Sequence, residues 1–191
     1  DLYLLKIECF LNLGLYVEAT SLTQDVIEYE NGDFDAVFSE LGFLYLDADH
    51  INDAILYFEK SLSYNPNNIE VLTELGYAYE ITSDFQAAIN VSNKILDINP
   101  YSHETWIGIG KLYSLCEEYE KAVDAFDFAL VISEDNDILK LKAHCLSLCE
   151  RLNEAISIFK DCIINNPLYS TLYYSISECY FSLEDYDNIL I

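Results

Sequence analysis

Apolar residues recur three and four positions apart, in paired blocks of about three to four helical turns each. Over residues 35–65, Phe38, Leu41 and Tyr45 form one stripe; Ala54, Phe58 and Ser61 form a second. Between them, Asp49-His50-Ile51-Asn52-Asp53 carries turn chemistry. Pro66, which has no backbone N–H, ends the second block. The pattern predicts a helix-turn-helix. Gly42 and Ala54 are the small residues that let its two helices approach closely. Gly76, placed alike one unit on, lies at the close-packed contact of the two helices, so Gly76→Leu is expected to damage the fold more than Gly32→Leu, which falls in a connection. One such pair cannot bury its own stripe, so successive pairs must stack into a continuous core.

The pairs repeat in phase. Pro66, Pro100 and Pro167 are 34 and 67 residues apart; Gly42, Gly76 and Gly110 are each 34 apart, as are Tyr45, Tyr79 and Tyr113. Ala54, Ala88 and Ala122 keep the same spacing, and Ala155 follows 33 later. Written out, the units read FSELGFLY…DAILYFEKSLSYNP, LTELGYAYE…AAINVSNKILDINP and WIGIGKLY…KAVDAFDFALVISE.

These units resemble the tetratricopeptide repeat, whose pattern runs aromatic or Leu, Leu-Gly, Tyr, Ala, Phe, Ala, Pro. Residues 35–68 fit best, with Phe38, Leu41, Gly42, Tyr45, Ala54, Phe58, Ser61 and Pro66. In the third of these units Glu134 stands where Pro is expected. The flanks fit less well: 136–169 keeps Leu139, Ala143, Ala155, Phe159 and Pro167, and the first unit keeps Leu13-Gly14, Tyr16 and Ala19. The resemblance implies an all-α, right-handed superhelical solenoid of about five and a half repeats, with about eleven helices and no strands. Its units are 1–34, 35–68, 69–102, 103–135, 136–169 and a truncated 170–191, in a single array. With no Met anywhere, the array reads as a piece of a longer chain or a processed one.

Charge narrows the partners. Nine Lys and Arg against 34 Asp and Glu give a net charge of −25. That surface repels phosphate backbones and anionic lipid, which argues against nucleic acid and membrane surfaces. No window approaches 18 uncharged apolar residues, so no membrane insertion is expected. The six cysteines sit inside apolar helical patterns and read as reduced, small hydrophobes of a cytoplasmic protein. The sequon Asn90-Val91-Ser92 falls in mid-helix.

No enzyme signature is present: no Gly-rich phosphate loop, no HExxH and no GxSxG. Cys145 and Cys149, beside His144, could be half a metal site. Their recurrence in repeat register makes packing the simpler reading, so neither a metal nor a cofactor is expected. Acid pairs such as Glu117-Glu118 and Glu134-Asp135 read as solvated turns, not a glycosidase pair.

In this family ligands lie along a concave face made by the first helix of each repeat. The resemblance therefore points to Phe43, Tyr77 and Ile107 as an apolar track, and to Lys111, Lys140 and His144 as a basic cluster, with Tyr174 further along. A groove that takes apolar side chains and then an acidic group is the expectation. The competing view is scattered surface residues, with Glu104, Asp137 and Glu178 neutralising the lysines. The family's carboxylate clamp of Lys, Asn and Arg is not matched, because the corresponding faces carry Ser39, Phe43, Thr73, Tyr77 and Glu104. The sequence thus predicts a non-catalytic protein- or peptide-binding scaffold with an unidentified partner. The alternatives are a regulatory or substrate-positioning segment of a larger enzyme or sensor, an enzyme with its site in the groove, and an architectural module. Self-association would use the truncated C-terminal repeat, whose Tyr173, Ile176 and Tyr180 stripe has no complete second helix.

Overall fold

Eleven α-helices and no strand form among the described residues, 2–29, 34–165 and 170–189, of the computed structural model. In order they are α1 (Leu2–Asn12), α2 (Tyr16–Tyr29), α3 (Phe34–Asp47), α4 (Ile51–Tyr64), α5 (Ile69–Ile81) and α6 (Phe85–Ile98). Then follow α7 (His103–Leu115), α8 (Tyr119–Ile132), α9 (Asn136–Leu148), α10 (Leu152–Asn165) and α11 (Ser170–Ser182), and a short 3-10 turn over Tyr186–Asn188. Odd-numbered helices are the first of each repeat and even-numbered ones the second. The chain divides into two compact bodies, residues 1–100 and 101–191. Within each, every helix packs on its neighbours in sequence.

One turn geometry closes every first helix. After α3, the Asp49 N–H donates to the Leu46 carbonyl at 3.0 Å and the His50 N–H reaches back to Tyr45 at 2.8 Å. This pair of bonds satisfies carbonyls the helix leaves open, and it requires a left-handed residue between them. That residue is Asp49 at φ 63°, and the same bonds recur around Gly14, Ser83, Glu117, Glu150 and Glu184, all with φ between 57° and 71°. The helix that follows starts two residues later. Ile51, Asn52 and Asp53, expected in the turn, therefore form the first turn of α4.

The turn residues also fix the register, and they correct the first repeat. Leu13-Gly14 is not the Leu-Gly of the repeat pattern: Gly14 is the left-handed residue that ends α1. The position of Gly42, seven residues before the turn, is held by the fully buried Ile7.

A fully buried alanine recurs at one position of the repeat. Ala19, Ala54, Ala88, Ala122 and Ala155 lie five residues after the turn in successive repeats, each 0% exposed. In the first body they join Leu41, Tyr45, Phe58, Leu72 and Leu75; in the second, Ile109, Phe126, Leu146 and Phe159. Gly76 is less closely enclosed than a place at a close-packed helix contact implies. A Cβ there would meet only Val91 Cγ1 at 3.8 Å, an ordinary contact. Close approach belongs to Gly42 and Gly110, which face Phe58 and Phe126. Gly32 lies outside the described residues.

Candidate functional site

In repeat register the predicted site residues fall on two rows of the first helices, one turn apart. Six residues before the turn stand Phe43 and Tyr77 in the first body, then Lys111, His144 and Glu178 in the second. Ten before it stand Ser39 and Thr73, then Ile107, Lys140 and Tyr174.

In the first body the two rows differ in character. Tyr77 projects, 54% exposed. Phe43 is half-buried, its ring edge-on to Phe58 with centroids 5.3 Å apart, because Gly42 lets the Phe58 ring lie against the helix beside it. Ser39 is buried and belongs to a polar network. Its hydroxyl donates to the Asp35 carbonyl at 2.6 Å and lies 3.2 Å from Ser61 Oγ; Ser61 in turn donates to Asp35 Oδ1 at 2.7 Å.

In the second body Ile107 is half-buried against the core, while Lys111, His144 and Tyr174 are exposed. Lys111 makes no hydrogen bond or ion pair among the described residues. Lys140 is paired with Asp137 on its own helix and is 22% exposed. The neutralisation weighed from the sequence therefore holds for Lys140 and Asp137. A hydrogen bond to Glu178 holds the Tyr174 phenol above its usual pKa.

Two family models described as "Tetratricopeptide repeat" match the sequence, one over residues 37–68 and the other over 57–90. The structure carries the same helix pairs through all the described residues on either side. The chain is a tetratricopeptide-repeat array.

No curated protein matches the array by sequence. Its fold is similar to the crystal structure of MamA protein, with a TM-score of 0.74 at 22% identity over 84% of this chain and 88% of that one. A tetratricopeptide repeat protein from Parabacteroides merdae gives 0.70 at 21% identity, covering 98% of this chain and 75% of that one. YrrB, described as a TPR protein with an unusual peptide-binding site, gives 0.71 at 17% identity over 88% and 86%. At these identities the likeness is one of fold.

Elsewhere in the array the candidate chemistry is tied down. The turn acids border a surface depression of about 420 Å³ between Glu117 and Lys121, beside Cys149. Glu118 there is paired with Lys121, and Glu120 accepts from Arg151 at 3.0 Å. Arg151 also grips Glu154 through two nitrogens at 2.8 Å, which holds the Glu154 carboxyl below its usual pKa. Cys145 is buried and points its thiol at Ser114 Oγ, 3.7 Å away; burial pushes its pKa up, as it does that of Cys149. Among the described residues no group of three His, Cys, Asp or Glu side chains is arranged to hold a metal. No described helix is long and apolar enough to cross a membrane.

Sequence reasoning did not find a pocket of about 600 Å³ in the second body, lined by α10, α11 and Ile189. The signal was present in the Tyr173, Ile176 and Tyr180 stripe, but a stripe alone does not say which of its faces stays open.

Proposed function

We propose that this array is a non-catalytic scaffold that binds a protein or peptide on the exposed face of its first helices. Tyr77 and the half-buried Phe43 would serve in the first body. Ile107, Lys111, Lys140, His144 and Tyr174 would serve in the second. The observation that carries the reading is Lys111. In a chain of net charge −25 it stands exposed and without a carboxylate partner, in register with exposed His144 and one turn from the Ile107 row. An apolar peptide with an acidic group or a C-terminal carboxylate fits that chemistry. Screening limits the repulsion of such a peptide by the whole chain to about 8 Å at physiological salt. A desolvated aromatic anchor contributes about 2 kcal/mol or more, against about 0–1 for an exposed ion pair, so Tyr77 and Tyr174 outrank the lysines. The peptide-binding site named for YrrB supports this class of function by analogy of fold.

The test is a peptide-array screen comparing the wild type with Tyr77→Ala, Tyr174→Ala, and Lys111→Glu combined with Lys140→Glu. A recovered partner kept by all three variants rules out this face. Loss in the lysine variant alone reverses the ranking of the contributions. A role as the regulatory or substrate-positioning part of a larger protein uses the same face. Self-association through the C-terminal repeat has exposed apolar side chains to draw on in Ile164 and Phe181, and the charge of −25 against it. A solution mass above one chain's 21.9 kDa would support it.

A further inference from the structure

One repeat carries apolar side chains where the others carry mostly charge. Phe128 and Val131 lie eleven and fourteen residues after the left-handed turn at Glu117. The first of these positions is held in the other repeats by Asp25, Lys60, Lys94 and Asp161, the second by Glu28, Ser63, Asp97 and Ile164. Among the described second helices only α8 is apolar at both. Its core side is made by Val123, Ala125, Phe126 and Ala129, all buried. Phe128 and Val131 face away from that core, 55% and 86% exposed.

Packing inside the repeat does not require this pair. Phe128 stacks on Trp106, with ring centroids 4.5 Å and planes 21° apart. Two repeats earlier, Lys60 covers Phe38, the residue in register with Trp106, its Nζ 5.5 Å from the ring centroid. Covering the aromatic ring of the first helix therefore does not need an apolar side chain, and Val131 is too exposed to add to the core. The charges beside the pair that remain unengaged are acidic. Asp124, one turn before Phe128, and Glu134, three residues beyond Val131, make no hydrogen bond or ion pair among the described residues. The nearby bases are taken: Lys121 by Glu118, Lys142 by Asp127 and Arg151 by Glu120.

We propose that Trp106, Phe128 and Val131 form a docking surface for an amphipathic helix of a partner protein that carries Lys or Arg on either side of its apolar stripe. An apolar ridge along one helix is matched by the apolar face of another laid beside it. Phe128, held against Trp106, is the aromatic anchor of that contact. Asp124 and Glu134 bracket the ridge, and basic residues of the incoming helix meet them there. A second copy of this chain is the poorer occupant. Its own Phe128 ridge carries the same two unpaired acids, and two chains of charge −25 repel one another. The repeat of α7 and α8 is followed and preceded by other helix pairs, so its ridge is not an open end of the stack. The ridge lies on a second helix and the rows of Lys111 and His144 lie on first helices, so neither proposal rests on the other.

Trp106 is the chain's one tryptophan, so its fluorescence reports on this surface directly. The probe is a labelled model peptide of about 18 residues, or five helical turns, built from Leu and Lys with Leu at helical spacing. Titrated into the 191-residue protein, it should bind saturably by anisotropy, change the Trp106 emission, and shift amide resonances centred on Trp106 and residues 124–134. Phe128→Lys combined with Val131→Ser installs the residues the second repeat carries at these positions. That variant should weaken binding by about tenfold or more, with an unchanged circular dichroism spectrum and urea midpoint. Val131→Ser alone should weaken it by a smaller factor, and a peptide with Glu in place of Lys should not bind. Binding that the double variant leaves intact would be attraction of a cation to an acidic chain, and it overturns the proposal. So does equal binding of the Glu peptide, or a urea midpoint that falls in Val131→Ser, which would make the residue part of the fold. A dimer that the double variant dissolves would assign the ridge to a second copy and overturn it as well.

Discussion

The Phe58 ring occupies the space a side chain at residue 42 would need: a Cβ on Gly42 would stand 2.4 Å from its Cδ1 and Cε1. Gly110 and Phe126 repeat the relationship at 2.5 Å. The pair works by shared volume, and other repeats divide that volume differently. In the first repeat Ile7 takes the glycine position and the small, buried Thr23 the phenylalanine position. In the third, Gly76 faces a helix that carries Ser92 in place of Phe.

Three alanine substitutions should therefore separate. Gly42→Ala and Gly110→Ala force the ring or the helix to move, and overpacking of this kind costs about 1–3 kcal/mol. Gly76→Ala meets Val91 at van der Waals distance and gains helix propensity of up to about 1 kcal/mol, so it should be neutral or stabilising. Urea denaturation of the three variants decides. Equal destabilisation at all three positions would mean that the Phe rings are not what the glycines accommodate.

The left-handed turn residues make the second prediction. Glu117 and Glu150 sit at φ 61°, where a residue with a Cβ loses about 1–2 kcal/mol relative to the right-handed region. Glycine relieves that strain and gives back part of the gain through the greater entropy of the unfolded chain. Glu117→Gly and Glu150→Gly should each raise stability by about 0.5–1 kcal/mol. Glu117→Val, branched at Cβ, should lower it. A shift of the urea midpoint in the opposite order would remove the strain argument.

Much of this fold was legible because the stripe residues obey one rule. Phe38, Leu41, Tyr45, Ala54, Phe58 and Ser61 are buried as helical spacing requires. What the sequence hid is relational. Leu13-Gly14 matches the Leu-Gly of the repeat motif in letters, yet only the backbone reveals that Gly14 serves the turn. The room at Gly76 depends on Ser92, sixteen residues away on another helix. Phe43 reads as a face residue by register and turns its edge to Phe58 because the neighbouring glycine brings that ring close. Glu104, Asp137 and Glu178 could all be weighed against Lys111 and Lys140 in the sequence; the structure pairs Asp137 with Lys140.

Alkaline pH should destabilise the protein through its buried thiols. Burial raises the pKa of Cys145, Cys162 and Cys179, so the folded state holds these protons more tightly than the unfolded state. Their contribution is fully present below the unfolded thiol pKa of about 8.5 and is lost as pH climbs from there toward the raised folded values. Tyr57 and Tyr79, also raised by burial, extend the loss above pH about 10. The urea midpoint should hold steady up to pH ~8 and fall beyond it, and Cys145→Ala should flatten the first part of the fall. Iodoacetamide should label exposed Cys9 in the folded protein and reach the three buried thiols only on unfolding. Early labelling of Cys145 would contradict this.

The last prediction concerns Asp35, in the first turn of α3, whose carboxylate accepts from Ser61 Oγ at 2.7 Å and from Asn65 Nδ2 at 2.9 Å. Ser61 is 0% exposed and stands where Ala129 stands two repeats later, so the site has room for a plain methyl group. Asp35→Ala leaves the Ser61 hydroxyl with the Ser39 oxygen alone and removes its charged acceptor. Losing a partner for a buried polar group costs about 1–3 kcal/mol. Ser61→Ala in the same background removes the stranded hydroxyl, so the double variant should be more stable than Asp35→Ala alone. Asn65 is exposed, and Asn65→Ala should change stability by less than about 0.5 kcal/mol. Wild type, Asp35→Ala, Ser61→Ala and the double variant form a cycle, read by urea denaturation, in which the Asp35–Ser61 coupling should be positive and of the order of 1 kcal/mol. Additive single effects would show that the carboxylate stabilises α3 by some route other than Ser61.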